Sequence, residues 1–327
     1  MTAPTVAAPL AGLTVVEYGD DLAAAYCGKH FADLGAVVLL ARESRLRDET
    51  AALRVYVDGA KRPLCDVPDR IDVAIVPRGA EGVAAAVTVH ISDFGETGPQ
   101  ASWRGGEIVS QAASGLMSLI GDLDGAPLAL GGHQIDNATG WMAFTGAQIA
   151  LTAIDLGNAP QGQNVRISRL EVGAYIEWKG RVYAQAGNEL MRGERSGPLV
   201  VRCADGWFGL YYRAQDWDRV LTVLDDDALR RTPFDTHHGR LTHSAELATV
   251  IESLVEGLSQ TELYRALQNA GVPAGPVMTA GQLIDSEQYA ARHFMVPVYV
   301  DGVAAVQPAP PVTFNGKRPE GGNGSRR

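Results

Sequence analysis

The sequence predicts an α/β protein: a parallel sheet with crossover helices in the N-terminal part, then a smaller α+β part. Three observations carry this. Residues 13–18, 22–34 and 36–40 read as strand, helix and strand, with Gly35 closing the helix, which is one right-handed βαβ unit. Residues 36–40 are a continuous apolar run, as in a strand covered on both faces, and 73–76 and 87–91 are two more apolar, β-rich runs that read as sheet strands. Beyond the polar stretch 187–198, residues 199–202 and 207–212 flank Asp205-Gly206, the signature of an antiparallel hairpin.

In chain order, the turn after the first strand is Gly19-Asp20-Asp21, without the G-x-G-x-x-G pattern, and two aspartates there would repel a pyrophosphate; no nicotinamide or flavin is expected. Residues 43–71 are charged and read as irregular. The strand at 87–91 runs into the glycine-punctuated loop Ser92-Asp93-Phe94-Gly95-Glu96-Thr97-Gly98-Pro99. Residues 108–120 have helical spacing, with Ala112, Ala113, Ser114 and Gly115 forming a close-packing face. A short strand at 163–167 and a helix at 170–186 complete the first part. In the second, helices are expected near 217–224, 245–257, 260–270 and 280–293, residues 270–277 read as rigid turn chemistry leading into a strand, and a strand is expected near 296–300.

With 327 residues, 46% apolar and 20% charged, the chain can bury a large core and divide into two domains. A net charge of −10 without a basic run argues against nucleic acid, and an anionic ligand would need a local cluster of Lys and Arg. Cys27, Cys65 and Cys203 are odd in number and widely spaced, so neither a disulfide frame nor a metal site is expected. No apolar run reaches the length of a membrane span, and the N-terminus lacks a basic start, so a cytoplasmic protein is expected.

One stretch holds the candidate chemistry. Gly131-Gly132-His133-Gln134-Ile135-Asp136 opens a long helical pattern with Trp141, Phe144, Ile149 and Ile154 at buried spacing, closing in Gly157-Asn158. Asp136 stands where an N-cap belongs. It is either a cap alone or a nucleophilic carboxylate kept ionised by the positive end of its helix. His133 lies close in sequence and reads as a loop bystander.

Five stretches in order resemble the family III CoA-transferases, which include the α-methylacyl-CoA racemases. They are Pro9-Leu10-Ala11-Gly12-Leu13-Thr14-Val15-Val16-Glu17 with Phe31-Ala32-Asp33-Leu34-Gly35; Lys61-Arg62-Pro63-Leu64; Ile91 to Pro99; Gly162-Gln163-Asn164-Val165; and Ala270-Gly271-Val272-Pro273-Ala274-Gly275-Pro276-Val277. The resemblance implies a Rossmann-like large domain (1–190) that binds CoA and carries catalysis, a smaller α+β domain (191–295), and a C-terminal segment (296–327) returning to the large domain. It also implies an interlocked homodimer. The activity implied is acyl-CoA:carboxylate CoA transfer through an aspartyl anhydride and an aspartyl-CoA thioester, with an acyl-CoA and a carboxylic acid as partners and no metal, nucleic acid or membrane. The aspartate of the family falls at Asp136, and the glutamate of its oxalate-linked members at Glu107. Glu107 is equally explained as a first-turn residue favouring its own helix dipole. Lys61, Arg62, Arg42 and Arg104 are the candidate cations for the CoA phosphates. Racemases place a histidine where this chain has Gly106, so two-base racemisation ranks third.

The chain departs from the family in its first domain. The segment 43–61 is abbreviated, 65–72 leaves no room for a helix, and Pro77-Arg78-Gly79 stands where a longer connection and helix are usual. No glycine-rich shielding loop is evident around residues 192–197, and no glutamine lies near Leu22. These trims fall on the CoA-binding wall. The competing expectation is therefore a non-catalytic or partner-dependent subunit, acting in a heteromer with a full-length paralogue.

Overall fold

The computed structural model describes residues 8–19, 21–41, 50–122, 124–187 and 199–319. Contacts divide these into one unit within 1–193 and 293–327 and a second within 194–292.

The first unit is built on six strands: β1 (Thr14–Glu17), β2 (Val37–Leu40), β3 (Arg62–Pro63), β4 (Val73–Pro77), β5 (Val87–Ser92) and β6 (Gln163–Ser168). All pair in parallel, in the order β3-β2-β1-β4-β5-β6. This doubly wound order places its switch point between β1 and β4, and such sheets bind ligands beyond the carboxyl ends of their strands. Strands β1, β4 and β5 supply Val15, Val73, Ile75, Val87 and Val89, all fully buried.

Helices α1 (Leu22–Asp33), α2 (Ala51–Asp58), α3 (Glu107–Ala113), α4 (Gln134–Asp155), α5 (Arg169–Ile176) and α6 (Trp178–Gln185) belong to this unit. Phe31, Ala143, Phe144 and Ala147 of α1 and α4 pack with the sheet in one core. A Cβ on Gly140 would lie 2.5 Å from Tyr26 Cβ, so glycine is what lets the two helices approach so closely. A second core, of Val16, Ile71, Ala74 and Val76, is covered by Leu64, Ala80, Val83 and Ala85 from connecting loops. Residues 64–72 and 78–86, which link β3 to β4 and β4 to β5, contain no helix. The sequence departures thus appear as two parallel crossovers made by loop alone.

Other elements differ from the sequence reading. Residues 51–58 form α2, held by a Thr50 cap and by packing of Leu53, Tyr56 and Val57 against α1. The helix expected at 108–120 ends at Ala113, because Gly115 adopts φ 90° and starts a 3-10 turn over Leu116–Leu119. The helix expected at 170–186 divides at Glu177, whose carboxylate caps α6 through the Gly180 N–H at 2.7 Å.

The second unit pairs β7 (Leu199–Cys203), β8 (Gly206–Leu210) and β9 (Ala274–Pro276) in an antiparallel sheet; the expected hairpin of β7 and β8 is present, turning through Ala204 and Asp205 with Gly206 opening β8. Helices α7 (Trp217–Leu224), α8 (His237–Thr242), α9 (Ser244–Val255) and α10 (Gln260–Asn269) follow the hairpin, and Phe208, Leu210, Trp217, Leu247, Ile251 and Leu267 fill their shared core. The helix expected at 280–293 is two short ones, α11 (Ala280–Ile284) and α12 (Glu287–Ala291), each started by its own Thr or Ser cap. The strand expected at 296–300 is β10 (Met295–Val300), paired antiparallel with β11 (Val303–Pro308), and both belong with the first unit.

Candidate active site

Four carboxylates and one guanidinium converge beyond the carboxyl ends of β1, β5 and β6. Asp21 follows β1, Asp93 follows β5, Arg169 follows β6, and Asp136 and Glu107 come from the starts of α4 and α3. Arg169 is 4% exposed and donates from Nε to Asp136 Oδ1 at 2.7 Å, from one terminal nitrogen to Asp93 Oδ1 at 2.8 Å, and from the other to Asp21 Oδ1 at 2.8 Å. Two of these carboxylates are anchored in turn by backbone. Asp21 Oδ1 accepts the Ala24 N–H at 2.9 Å as the cap of α1, and Asp93 Oδ2 accepts the Gly105 N–H at 2.9 Å.

Asp136 is buried but is not the cap of its helix. α4 starts at Gln134 after His133, whose backbone is left-handed (φ 56°, ψ 48°) and whose side chain makes no capping bond. The cap comes from another helix. Glu107 Oε1 accepts the Ile135 N–H at 2.9 Å and its Oε2 accepts the Asp136 N–H at 2.8 Å. Gln111, fully buried, donates to Glu107 Oε1 at 2.7 Å and exchanges hydrogen bonds with the Leu130 backbone, which fixes the glutamate in place.

This arrangement corrects the expected electrostatics. The sequence suggests that the helix end would hold the Asp136 carboxyl low. Burial instead pushes it up; Arg169 opposes that, and Asp21 and Glu107 add to it, leaving the carboxyl above the ordinary aspartate range. The physical reason is competition. Glu107 already answers the free N–H groups of α4, and one guanidinium is shared among three carboxylates. For Arg169, burial works against the charge, but Asp21 and Asp136 outweigh it and its pKa rises.

The oxygen of Asp136 not held by Arg169, Oδ2, accepts no hydrogen bond among the described residues, and His133 Nδ1 stands 3.7 Å from it. The histidine read as a bystander is therefore a neighbour of this oxygen, beyond direct hydrogen-bond distance.

The candidate phosphate cations fare unequally. Lys61 is 3% exposed and gives all three ammonium protons to internal acceptors: Glu17 Oε2 at 2.8 Å, Asp58 Oδ1 at 2.7 Å and the Ala25 carbonyl at 2.9 Å. It is an interior tie between β1, α1 and α2, and its role as a phosphate ligand is withdrawn, because no donor is left for one. Arg62 and Arg104 are exposed. Arg42 and the segment 192–197 lie outside the described residues. Among the described residues no group of three or more His, Cys, Asp and Glu is placed to hold a metal ion.

Sequence reasoning did not single out Arg169. A signal was present: it opens α5, where the helix dipole disfavours a cation unless anions surround it.

The comparisons accord with this architecture. A family model described as CoA-transferase family III matches residues 84–322. The succinate–glutarate CoA-transferase of Agrobacterium fabrum is 25% identical over 345 positions, spanning 88% of this chain and 84% of its own length. The succinyl-CoA–D-citramalate CoA-transferase of Chloroflexus aurantiacus is 26% identical over 340 positions, spanning 89% of this chain and 84% of its own. A crystal structure of a CaiB/BaiF family protein from Brucella suis superposes with a TM-score of 0.82 at 23% identity, covering 97% of this chain and 95% of that one.

Proposed function

The chain belongs to CoA-transferase family III, and we propose that it moves CoA from an acyl-CoA to a free carboxylate through the side chain of Asp136. At the level of the family the activity is transfer of CoA between acids. The observation that carries the finer reading is the asymmetry of Asp136: a buried carboxylate with one oxygen fixed by Arg169 and the other, among the described residues, without a hydrogen-bond donor.

In this reading Oδ2 attacks the thioester carbonyl, the C–S bond breaks and CoA leaves as thiolate, giving a mixed anhydride. The thiolate adds to the Asp136 carbonyl and expels the first acid, leaving an aspartyl-CoA thioester. The incoming carboxylate attacks that thioester, and the returning thiolate takes the new acyl group, which regenerates Asp136. Glu107 acts by holding the first turn of α4, and so Asp136, in place. Exposed Arg62 and Arg104 supply cations for the CoA phosphates.

The exposed apolar residues of α3 to α6, among them Ile108, Met142, Ile149, Tyr175 and Trp178, support assembly with a second copy of the chain.

Incubation with acyl-CoA and hydroxylamine is expected to yield a hydroxamate on the peptide containing Asp136, read by mass spectrometry. Asp136→Asn is expected to abolish the adduct and to lower transfer by roughly a thousandfold or more, in line with loss of a nucleophile elsewhere. CoA binding without any adduct sinks the proposal.

A further inference from the structure

We infer that the Nε–H of Arg169 is the oxyanion donor for the two steps that take place at the Asp136 carbonyl carbon, and that it fixes which carboxylate oxygen is exchanged during turnover. The inference rests on the proposal that Asp136 is the acylated residue.

The geometry singles out the two oxygens. Oδ1 lies 2.7 Å from Nε, while Oδ2 is free to attack. After attack, Oδ2 is the bridging oxygen of the anhydride and Oδ1 is the carbonyl oxygen. When the CoA thiolate adds to this carbon, the C–S bond forms, the C–O π electrons move onto Oδ1, and the bond to Oδ2 then breaks. Oδ2 departs with the first acid. When the acceptor carboxylate attacks the aspartyl thioester, a new C–O bond forms, charge again gathers on Oδ1, and the C–S bond breaks. Both negative charges thus develop on the one atom already within hydrogen-bond distance of a guanidinium N–H. Preorganised donors at such a distance from a developing oxyanion are among the larger contributions to acyl transfer.

The charge balance favours the same assignment. At rest Arg169 and Asp136 form an ion pair. In the neutral anhydride and thioester the pair is lost, and the tetrahedral oxyanion restores it, so the donor favours the transition states over the intermediates that precede them. Arg169 can hold that direction because its other two arms are tied to Asp21 and Asp93, whose carboxylates are themselves held by the Ala24 and Gly105 N–H groups.

The decisive measurement uses the wild-type protein, succinyl-CoA and succinate carrying oxygen-18 at every carboxylate position. Because the acceptor is the donor's own acid, no second substrate has to be known. Over many turnovers the peptide containing Asp136 is expected to gain one labelled oxygen and then saturate, since Oδ1 never leaves. Gain of two labelled oxygens means that the carboxylate turns freely, and it overturns the inference while leaving Asp136 as the acylated residue. No label at all removes the covalent route, and the inference with it. Arg169→Gln is expected to permit the second label and to slow discharge of the anhydride to the aspartyl-CoA thioester by roughly 10²–10³-fold relative to formation of the anhydride. Discharge at the wild-type rate in a folded Arg169→Gln protein also overturns the inference.

Discussion

Asp136 sets what can be expected at the residue scale. In the proposed reaction its ionised form is the reactive one, and burial, opposed by Arg169 and reinforced by Asp21 and Glu107, raises its pKa. Activity is therefore present above the raised value and lost as pH falls through it. The acid limb of kcat/KM is expected above the ordinary aspartate range, and a limb below that range in the pH–rate profile contradicts the assignment. Stability runs the other way for this group. The folded state binds the proton more tightly, so its contribution to stability is greatest below the unfolded pKa and declines as pH rises through the folded one. Lys61 supplies a contrasting case. Burial works against its charge, but Glu17 and Asp58 outweigh that and push its pKa up. Lys61→Met would remove the buried ammonium shared by Glu17 and Asp58, a loss of about 3–5 kcal/mol. Thermal melting is expected to show that loss, while calorimetric affinity of the folded fraction for CoA stays unchanged; a stable variant with weakened CoA binding would restore the phosphate role.

At the scale of elements, the site depends on α1 and α4 lying close together. α1 brings the Asp21 cap and α4 brings Asp136, and both carboxylates meet on Arg169. Gly140 permits the approach, since a Cβ there meets Tyr26 Cβ at 2.5 Å and the Ala23 carbonyl at 3.0 Å. Gly140→Val is expected to destabilise the protein by about 3 kcal/mol through overpacking. Hydroxamate formation at Asp136 should fall with it, as the helices separate. An unchanged melting temperature would show that the helices can part without cost. The same scale shows where local patterning misled. The periodicity at 170–186 is helical throughout, yet Glu177 adopts φ −90°, ψ 39°, and its carboxylate starts a new helix. A side chain that can cap is invisible to hydropathy. The stretch 51–58 read as irregular because its apolar residues are few; packing on α1 makes it a helix.

For the molecule as a whole, the trims fall on one side of the sheet. α1 and α4 cover one core, while loop residues such as Leu64, Ala80 and Val83 cover the other. The carboxylate cluster is built from the opposite layer and from strand ends, so the shortening leaves it in place. Exposed apolar side chains along α4, including Met142 at 42% and Ile149 at 65%, are more than an isolated surface helix requires. Light scattering is expected to give twice the chain mass, with Ile149→Glu shifting the protein toward the single chain. A monomeric wild-type protein would remove the proposed assembly.

The parallel sheet, the hairpin of the second unit and the family were legible from the sequence. Apolar runs, Asp-Gly turn chemistry and the order of five short motifs are properties of neighbouring residues, and nearby residues suffice to read them. Asp136 and Glu107 could be named from the same motifs, but not what each touches. That Glu107 caps the helix of Asp136, that Lys61 is consumed in the interior, and that Arg169 joins three carboxylates were decided by the tertiary structure alone. The Arg169 partners lie 33, 76 and 148 positions away in the chain. Electrostatic partnership depends on distance in space, and only the folded sheet brings the ends of β1, β5 and β6 together.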